Sequence, residues 1–235
     1  MTGTHGDGKN ARWRLSIVMP VLDEAAGIVA ALQALAPLRA QGHEVIVVDG
    51  GSRDGTPALA APWVDCVVAG PRGRARQMNA GAALASGDVL LFLHADTVLP
   101  AAAASSLRAA MEAGALWGRF DVRIAGASVW FPVIAALMNG RSRLTRIATG
   151  DQALFVQATL FHRLGGYADQ PLMEDVELSR RLRDVAAPAC LKERVLTSGR
   201  RWETRGVWRT IFLMWRLRWA YWRGASPEVL ARAYR

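Results

Sequence analysis

His94 and Asp96 end the uninterrupted apolar run Val89–Leu93, and a second pair of acids, Glu174 and Asp175, opens the stretch LMEDVELSRRLR. A run of that kind reads as a strand buried on both faces inside a parallel sheet. In open α/β sheets ligands bind just beyond the carboxyl ends of the strands. A carboxylate there can hold a divalent cation and, through it, a phosphate. Asp96 can equally cap a following helix, because alanines come soon after it. His94 has two readings as well: imidazole suits Mn better than Mg, and a His at a strand end can simply bond the backbone. Glu174 and Asp175 precede a basic helix, where acids complement the helix dipole.

The elements that must carry these groups follow from hydrophobic spacing. Leu15–Val21, Glu44–Asp49, Val64–Ala69 and Val89–Leu93 read as strands. A helix with apolar residues at Ile28, Ala31, Leu32 and Leu35 is expected to close at Pro37, and a basic loop and helix span Arg72–Ala85. Strands alternating with helices at this spacing imply βαβ units and a mostly parallel α/β sheet. Beyond about residue 114 the rhythm changes. Leu116–Ile124 reads as a strand, Ala127–Ile147 as helical pieces broken at Pro132, Asp151–Val156 as a short strand and Leu172–Arg183 as a helix with an acidic start. The expected division is a nucleotide-binding half over 15–114, an acceptor half over 115–200 and a helical tail over 201–235.

Composition narrows the class. Half of the 235 residues are hydrophobic, which is ample for a packed core. The polar, Gly-rich start has no apolar signal core, so residues 1–14 are expected to be a frayed, cytosolic N-terminus. Ile124–Gly140 is too short and too interrupted to span a bilayer. Cys66 and Cys190 show no metal spacing and suggest core thiols in a reducing compartment. The net charge of +9 is uneven: between Arg194 and Arg235 ten Arg face two Glu, and five of the nine Trp lie in the same stretch. Such clustering points to phosphate, nucleic acid or an anionic membrane surface.

VVDGGSRDGT, residues 47–56, is a turn rich in Gly, Ser and Asp after the second strand, and not the G-x-G-x-x-G of a dinucleotide site. Alone it is a structural turn. In combination, SIVMPVLDEA, VVDGGSRDGT, GRARQMNAGA, FLHADT, GDQALFV and LMEDVELSRRLR occur in this order along the chain. The chain thereby resembles the family 2 glycosyltransferases of the nucleotide-sugar-binding GT-A fold. Within them it is similar to a small bacterial branch of arsenosugar-biosynthesis and radical-SAM/selenodomain-associated glycosyltransferases. The resemblance runs from about Leu15 into the tail.

That resemblance implies an inverting transferase using a nucleoside-diphosphate sugar and a divalent metal, Mn or Mg. It places Pro20, Asp23 and Glu24 around the nucleotide, Glu24 near the base or ribose, with Asp49 helping to read the base and Gly51 and Ser52 among the nucleotide-sugar contacts. Gly50 stands where many relatives carry a second acid. Arg74, Gln77 and Asn79 would lie over nucleotide and sugar, Arg as a fork of donors to diphosphate and the amides on sugar hydroxyls. HADT takes the place of the family's Asp-X-Asp: Ala95 and Asp96 would contact the donor, and Asp96 would hold the metal. Asp151 and Gln152 would shape the sugar and acceptor pocket. Asp175 becomes the general base, with Glu174 its neighbour; a hydroxyl nucleophile must lose its proton as it attacks the anomeric carbon. Adjacent carboxylates raise one another's pKa, and a helix N-terminus opposes the rise.

In the tail, Arg201 and Trp202 match the Arg-Trp of processive relatives, but Ser198 replaces their Gln, which argues against a polymerising enzyme. Arg200 and Arg201 are candidate diphosphate contacts and Trp202 an acceptor platform. In the helix expected over Val207–Arg223, Trp208, Ile211, Phe212, Trp215, Trp219 and Trp222 share a face beside a ridge of Arg205, Arg209, Arg216 and Arg223. Such a helix packs on its own domain, pairs with another chain or lies in a membrane interface. The acceptor is accordingly a small metabolite or a lipid, the location cytoplasmic or peripheral on the inner face of a membrane. Two rivals stand beside this reading. A nucleotidyltransferase would need a Gly- and Lys-rich triphosphate loop that PVLDEAAG lacks. A non-catalytic membrane binder would rest on the tail alone. Nucleic acid is not expected as a partner, because the aromatics have core-like spacing rather than that of an open stacking surface.

Overall fold

The computed structural model describes residues 13–234. The strands β1 (Leu15–Val21), β2 (Glu44–Asp49), β3 (Cys66–Ala69) and β4 (Val89–Phe92) lie in the order β3-β2-β1-β4, all parallel. Their alternate residues serve two cores. Ile17, Met19, Val45, Val47 and Leu91 pack into one layer, and Val18, Ile46, Val48, Leu90 and Phe92 into the other. Burial on both faces explains the unbroken apolar runs, each such side chain contributing about 1.5–3 kcal/mol.

Helices α1 (Ile28–Gln33), α2 (Ala36–Ala40), α3 (Thr56–Ala60) and α4 (Arg74–Leu84) connect these strands. A Cβ at Gly81 of α4 would stand 2.4 Å from Val18 Cγ1. The missing side chain lets α4 lie close on the sheet and sets the height of Arg74 at its first turn. Pro37 sits in the first turn of α2, where a missing N–H is harmless, so the expected single helix is two.

The second half extends the sheet as β4-β7-β6-β8-β5, with β5 (Thr97–Val98), β6 (Trp117–Ala125), β7 (Phe155–Gln157) and β8 (Ala189–Ser198). β7 runs antiparallel to both β4 and β6, and β5 antiparallel to β8. Several expectations change here. Asp96 caps no helix: β5 follows it at once, and α5 (Ala103–Glu112) starts later. α6 (Phe131–Thr145) is continuous, with Pro132 in its first turn rather than at a break. Gly150–Gln152 is a 3-10 turn, so the strand expected from Asp151 begins only at Phe155. β8 has no counterpart in the sequence reading; its charged residues Lys192, Glu193 and Arg194 and mostly half-buried positions mask the strand period.

The chain ends in α7 (Ala158–Arg163), α8 (Glu174–Val185), α9 (Arg200–Arg205), α10 (Val207–Trp222) and α11 (Pro227–Tyr234). α10 packs through Leu213, Met214, Leu217 and Tyr221 onto Met173 and Leu230. Its tryptophans face outward, from 56% exposed at Trp208 to 79% at Trp222, and only Ile211 of the expected aromatic face meets the core. Among the described residues no helix is long and apolar enough to cross a membrane. Of the N-terminal segment 1–14, residues 1–12 lie outside the described residues; the Arg14 amide donates to Asp88 at 2.9 Å.

Candidate active site

Asp96 and Asp175 line one cavity of about 500 Å³. Glu24, Arg74 and Asp96 bound it on the side of the parallel strands, Asp151, Glu174 and Asp175 on the other, and tail residues including Trp202 and Arg218 close it. A neighbouring hollow of about 520 Å³ shares Glu24, Arg74, His94 and Asp96 and continues to Pro20 and Ala95. The two form a continuous groove across the carboxyl ends of the first strands.

Asp96 is held by its backbone: its carbonyl accepts the Ser198 amide at 3.1 Å, just where β5 joins β8. Among the described residues its exposed carboxylate meets only Thr97 Oγ1, at 3.5 Å. Among the described residues no group of three or more His, Cys, Asp or Glu is arranged to hold an ion by itself. One free carboxylate, completed by diphosphate and water oxygens, is nonetheless the donor set that Mg or Mn takes in phosphate-handling sites, so these residues fit a substrate-bridged cation. His94 is turned elsewhere. Its Nδ1 lies 3.6 Å from Asp151 Oδ1, and a Cβ at Gly150 would stand 2.4 Å from its ring. Partial burial pushes the Asp151 carboxyl up, but the His94 ring 3.6 Å away and the charges of Arg74 and Arg201 outweigh it and hold it below the usual range.

Asp175 stands in the first turn of α8. Its Oδ2 accepts the Gly150 amide at 2.8 Å and its Oδ1 the Val176 amide at 2.7 Å. Glu174 beside it is buried, and burial and the Asp175 charge push its carboxyl up. Burial also raises Glu24, against Arg200 4.0 Å away and with Asp96 adding to the rise. Three non-glycine residues adopt left-handed backbone next to these segments: Asp23 (φ 55°), Ala153 (φ 47°) and Met173 (φ 67°). Such positions cost of order 1–3 kcal/mol and cluster at functional sites.

The turn after β2 acts as a frame. Asp49 is buried and accepts the amides of Gly51 and Ser52, both at 3.0 Å, and the Ser52 hydroxyl. Ser52 Oγ accepts the Asp23 amide at 2.8 Å, and Asp23 in turn accepts the Arg53 amide at 2.8 Å. Thr56 and Asp54 take the amides of Glu24 and Ala25, both at 2.9 Å. The turn thus latches onto the loop that presents Glu24.

Three residues expected to contact the ligand make scaffold hydrogen bonds, and of these Gln77 also lines the hollow beside Pro20 and Ala95. The Gln77 amide donates to Val21 and Val48 carbonyls at 2.8 Å, tying β1 to β2. Asn79 bonds the Tyr167 backbone reciprocally, at 2.8 and 2.9 Å. Gln152 is fully buried in a capping box with Thr149. Helical spacing carries no information about such distant backbone partners. Arg74 and Arg201 do line the cleft, and Arg201 also covers the Tyr234 ring at 4.2 Å.

Sequence reasoning missed Arg218 and Tyr234, which line the cavity from α10 and α11. A signal existed for Arg218: at 3.6 residues per turn it falls opposite the ridge of Arg209, Arg216 and Arg223, alone on the inward side.

The family model described as "Glycosyl transferase family 2" matches residues 16–168. The chain is 26% identical over 242 residues to the "Probable glycosyltransferase YdaM" of Bacillus subtilis (strain 168), an alignment covering 92% of this chain and 56% of that protein. It therefore spans little more than half the length of that relative. Solved structures share the fold. S. aureus TarS 1-349 in complex with UDP superposes with a TM-score of 0.66 at 16% identity, over 79% of this chain and 60% of that one. The mannosyltransferase PcManGT from Pyrobaculum calidifontis, with GDP-Man and Mn2+, gives 0.64 at 21%, over 96% and 70%. Glucosyl-3-phosphoglycerate synthase from Mycobacterium tuberculosis, with Mn2+, UDP and glucosyl-3-phosphoglycerate, gives 0.59 at 22%, over 78% and 71%. The mixed sheet flanked by helices is the GT-A fold of these neighbours, and with well over half its length matched by one family model the chain belongs to glycosyl transferase family 2.

Proposed function

We propose that the protein is an inverting glycosyltransferase that moves a sugar from a nucleoside-diphosphate sugar to a hydroxyl acceptor. The observation that carries this reading is the placement of Asp96 and Asp175 in one cleft. The hollow bounded by Pro20 and Ala95 takes the nucleotide, so residues 15–114 serve the donor. The segment 115–200 and the tail over 201–235 serve the acceptor side. Asp96 would hold a Mn or Mg ion on the diphosphate, and that cation, when bound, neutralises the charge of the departing diphosphate. Arg74 and Arg201 add fixed positive charge where it develops, the electrostatic part of the acceleration. Asp151, held ionised by His94, Arg74 and Arg201, accepts a hydroxyl of the donor sugar. Asp175, oriented by Gly150, takes the acceptor proton as the hydroxyl attacks from the side opposite the diphosphate. Neighbours crystallised with UDP, UDP-Glc or GDP-Man support a nucleotide sugar as donor.

The exposed aromatic row of α10, flanked by arginines and continued by Trp130 against Trp208 at 5.1 Å, supports contact with an anionic membrane surface on the cytoplasmic side. The central test is thermal stabilisation by nucleoside diphosphates and their sugars, with and without Mn and Mg. Metal-dependent stabilisation by one diphosphate is expected; indifference to all of them would overturn the reading.

A further inference from the structure

Two arginine side chains, one lining the cleft and one within its electrostatic reach, form no hydrogen bond or ion pair among the described residues. Arg218 projects from the inward side of α10 into the cavity. Arg141, on α6, is within electrostatic reach of Arg218 and of Asp175, and its Nε and Nη2 are buried with no hydrogen-bond partner. Unpaired guanidinium donors removed from water are costly. Burial lowers the pKa of both, and burial together with the Arg218 charge brings Arg141 to about 10. Asp175, whose charge reaches both, accepts the amides of Gly150 and Val176 and forms no ion pair with either arginine among the described residues. No described residue accepts from the side chain of Arg218, which lines the cavity.

Arg74 and Arg200 act on Glu24 beside Asp96, and Arg74 reaches Asp151 and Glu174 as well; Arg218 and Arg141 both feel the charge of Asp175. A guanidinium is a planar fork matched to phosphate oxygens, and two positive charges match a phosphate monoester near neutral pH. We propose that the acceptor carries a phosphate group that docks on Arg218 within the field of Arg141, which sets its hydroxyl at Asp175. The proposal deepens the transferase reading, since it names the acceptor class of the same cleft. The phosphate belongs to a soluble metabolite or to a lipid headgroup.

The test is titration of the full chain with inorganic phosphate. Binding should weaken roughly tenfold or more in Arg218→Gln, the scale of a lost hydrogen bond to a charged group. It should survive largely in Arg218→Lys. A measurement on the unmutated protein guards against misfolded variants: phosphate should protect Arg218 from modification by phenylglyoxal, read by mass spectrometry. Competition by glycerol 3-phosphate assigns a soluble acceptor; competition only by phosphatidic acid vesicles assigns a lipid. Unchanged phosphate affinity in Arg218→Gln or no protection of Arg218 would overturn the proposal. If phosphate protects Arg218 but no nucleoside diphosphate binds, the donor reading alone fails.

Discussion

The Asp175 carboxylate accepts the backbone amide of Gly150 at 2.8 Å, so the first turn of α8 is pinned to the turn that carries Asp151. Two carboxylates far apart in sequence are thereby fixed on one wall. Asp175→Asn preserves an oxygen for that amide and removes the proton acceptor. Sugar transfer should fall about 10²–10⁴-fold with nucleotide affinity unchanged. Product formation measured beside a nucleotide titration checks the split; a parallel loss of nucleotide binding would point to a positioning role.

Asp96→Asn should leave metal-free nucleoside diphosphate binding intact and remove its strengthening by Mn or Mg. Calorimetric titration with and without each ion reads the difference. A metal effect that persists in the variant would move the cation to other ligands.

Glu174 offers a pH test. Burial, then the Asp175 charge, raises its folded pKa above the unfolded value near 4.5. A raised folded pKa contributes stability that is fully present below the unfolded pKa and is lost as pH rises through the folded one. Glu174→Gln removes the cost of the buried charge, so its melting temperature relative to the parent should be highest at neutral pH and fall on acidification. A difference independent of pH would contradict the assignment.

Fully buried Arg119 donates to the Asp121 carboxylate and to the Asn139 carbonyl, at 3.1 Å for the latter, and Asp121 also accepts Arg143 at 2.8 Å. Asp121→Ala would strand a buried cation, and unfolding in denaturant should show a loss of about 3–5 kcal/mol.

On α10, Trp215→Glu combined with Trp222→Glu should abolish co-sedimentation with anionic vesicles and leave the melting temperature within a degree or two, because both side chains already face water. Equal vesicle binding by parent and variant would remove the membrane contact from the functional reading.

The parallel half of the fold was legible because burial on both faces demands uninterrupted apolar strands, as in LSIVMPV and EVIVVD. β8 was not, since a strand with charged, half-covered positions loses its period. At the site, residue type and order bring Glu24, Arg74, Asp96, Asp151 and Asp175 to one groove. The scaffold bonds of Gln77, Asn79 and Gln152 were not legible, because an amide serves a backbone carbonyl as readily as a sugar hydroxyl and only tertiary structure decides which it meets. The outward turn of the α10 tryptophans was equally hidden: its other side is apolar enough to pack, and sequence does not say which side wins.

The strand order β3-β2-β1-β4-β7-β6-β8-β5 threads the two halves through each other. A chain cut near residue 114 would leave β4 with a bare edge where β7 belongs, and β5 with nothing to pair against. Exposed edges of that kind invite aggregation. Neither fragment is a portable module, and grafting a foreign donor half onto this acceptor half requires rebuilding the seam where Ser198 meets Asp96. On the ribosome the groove has no second wall until α8, and no roof until the last helices emerge.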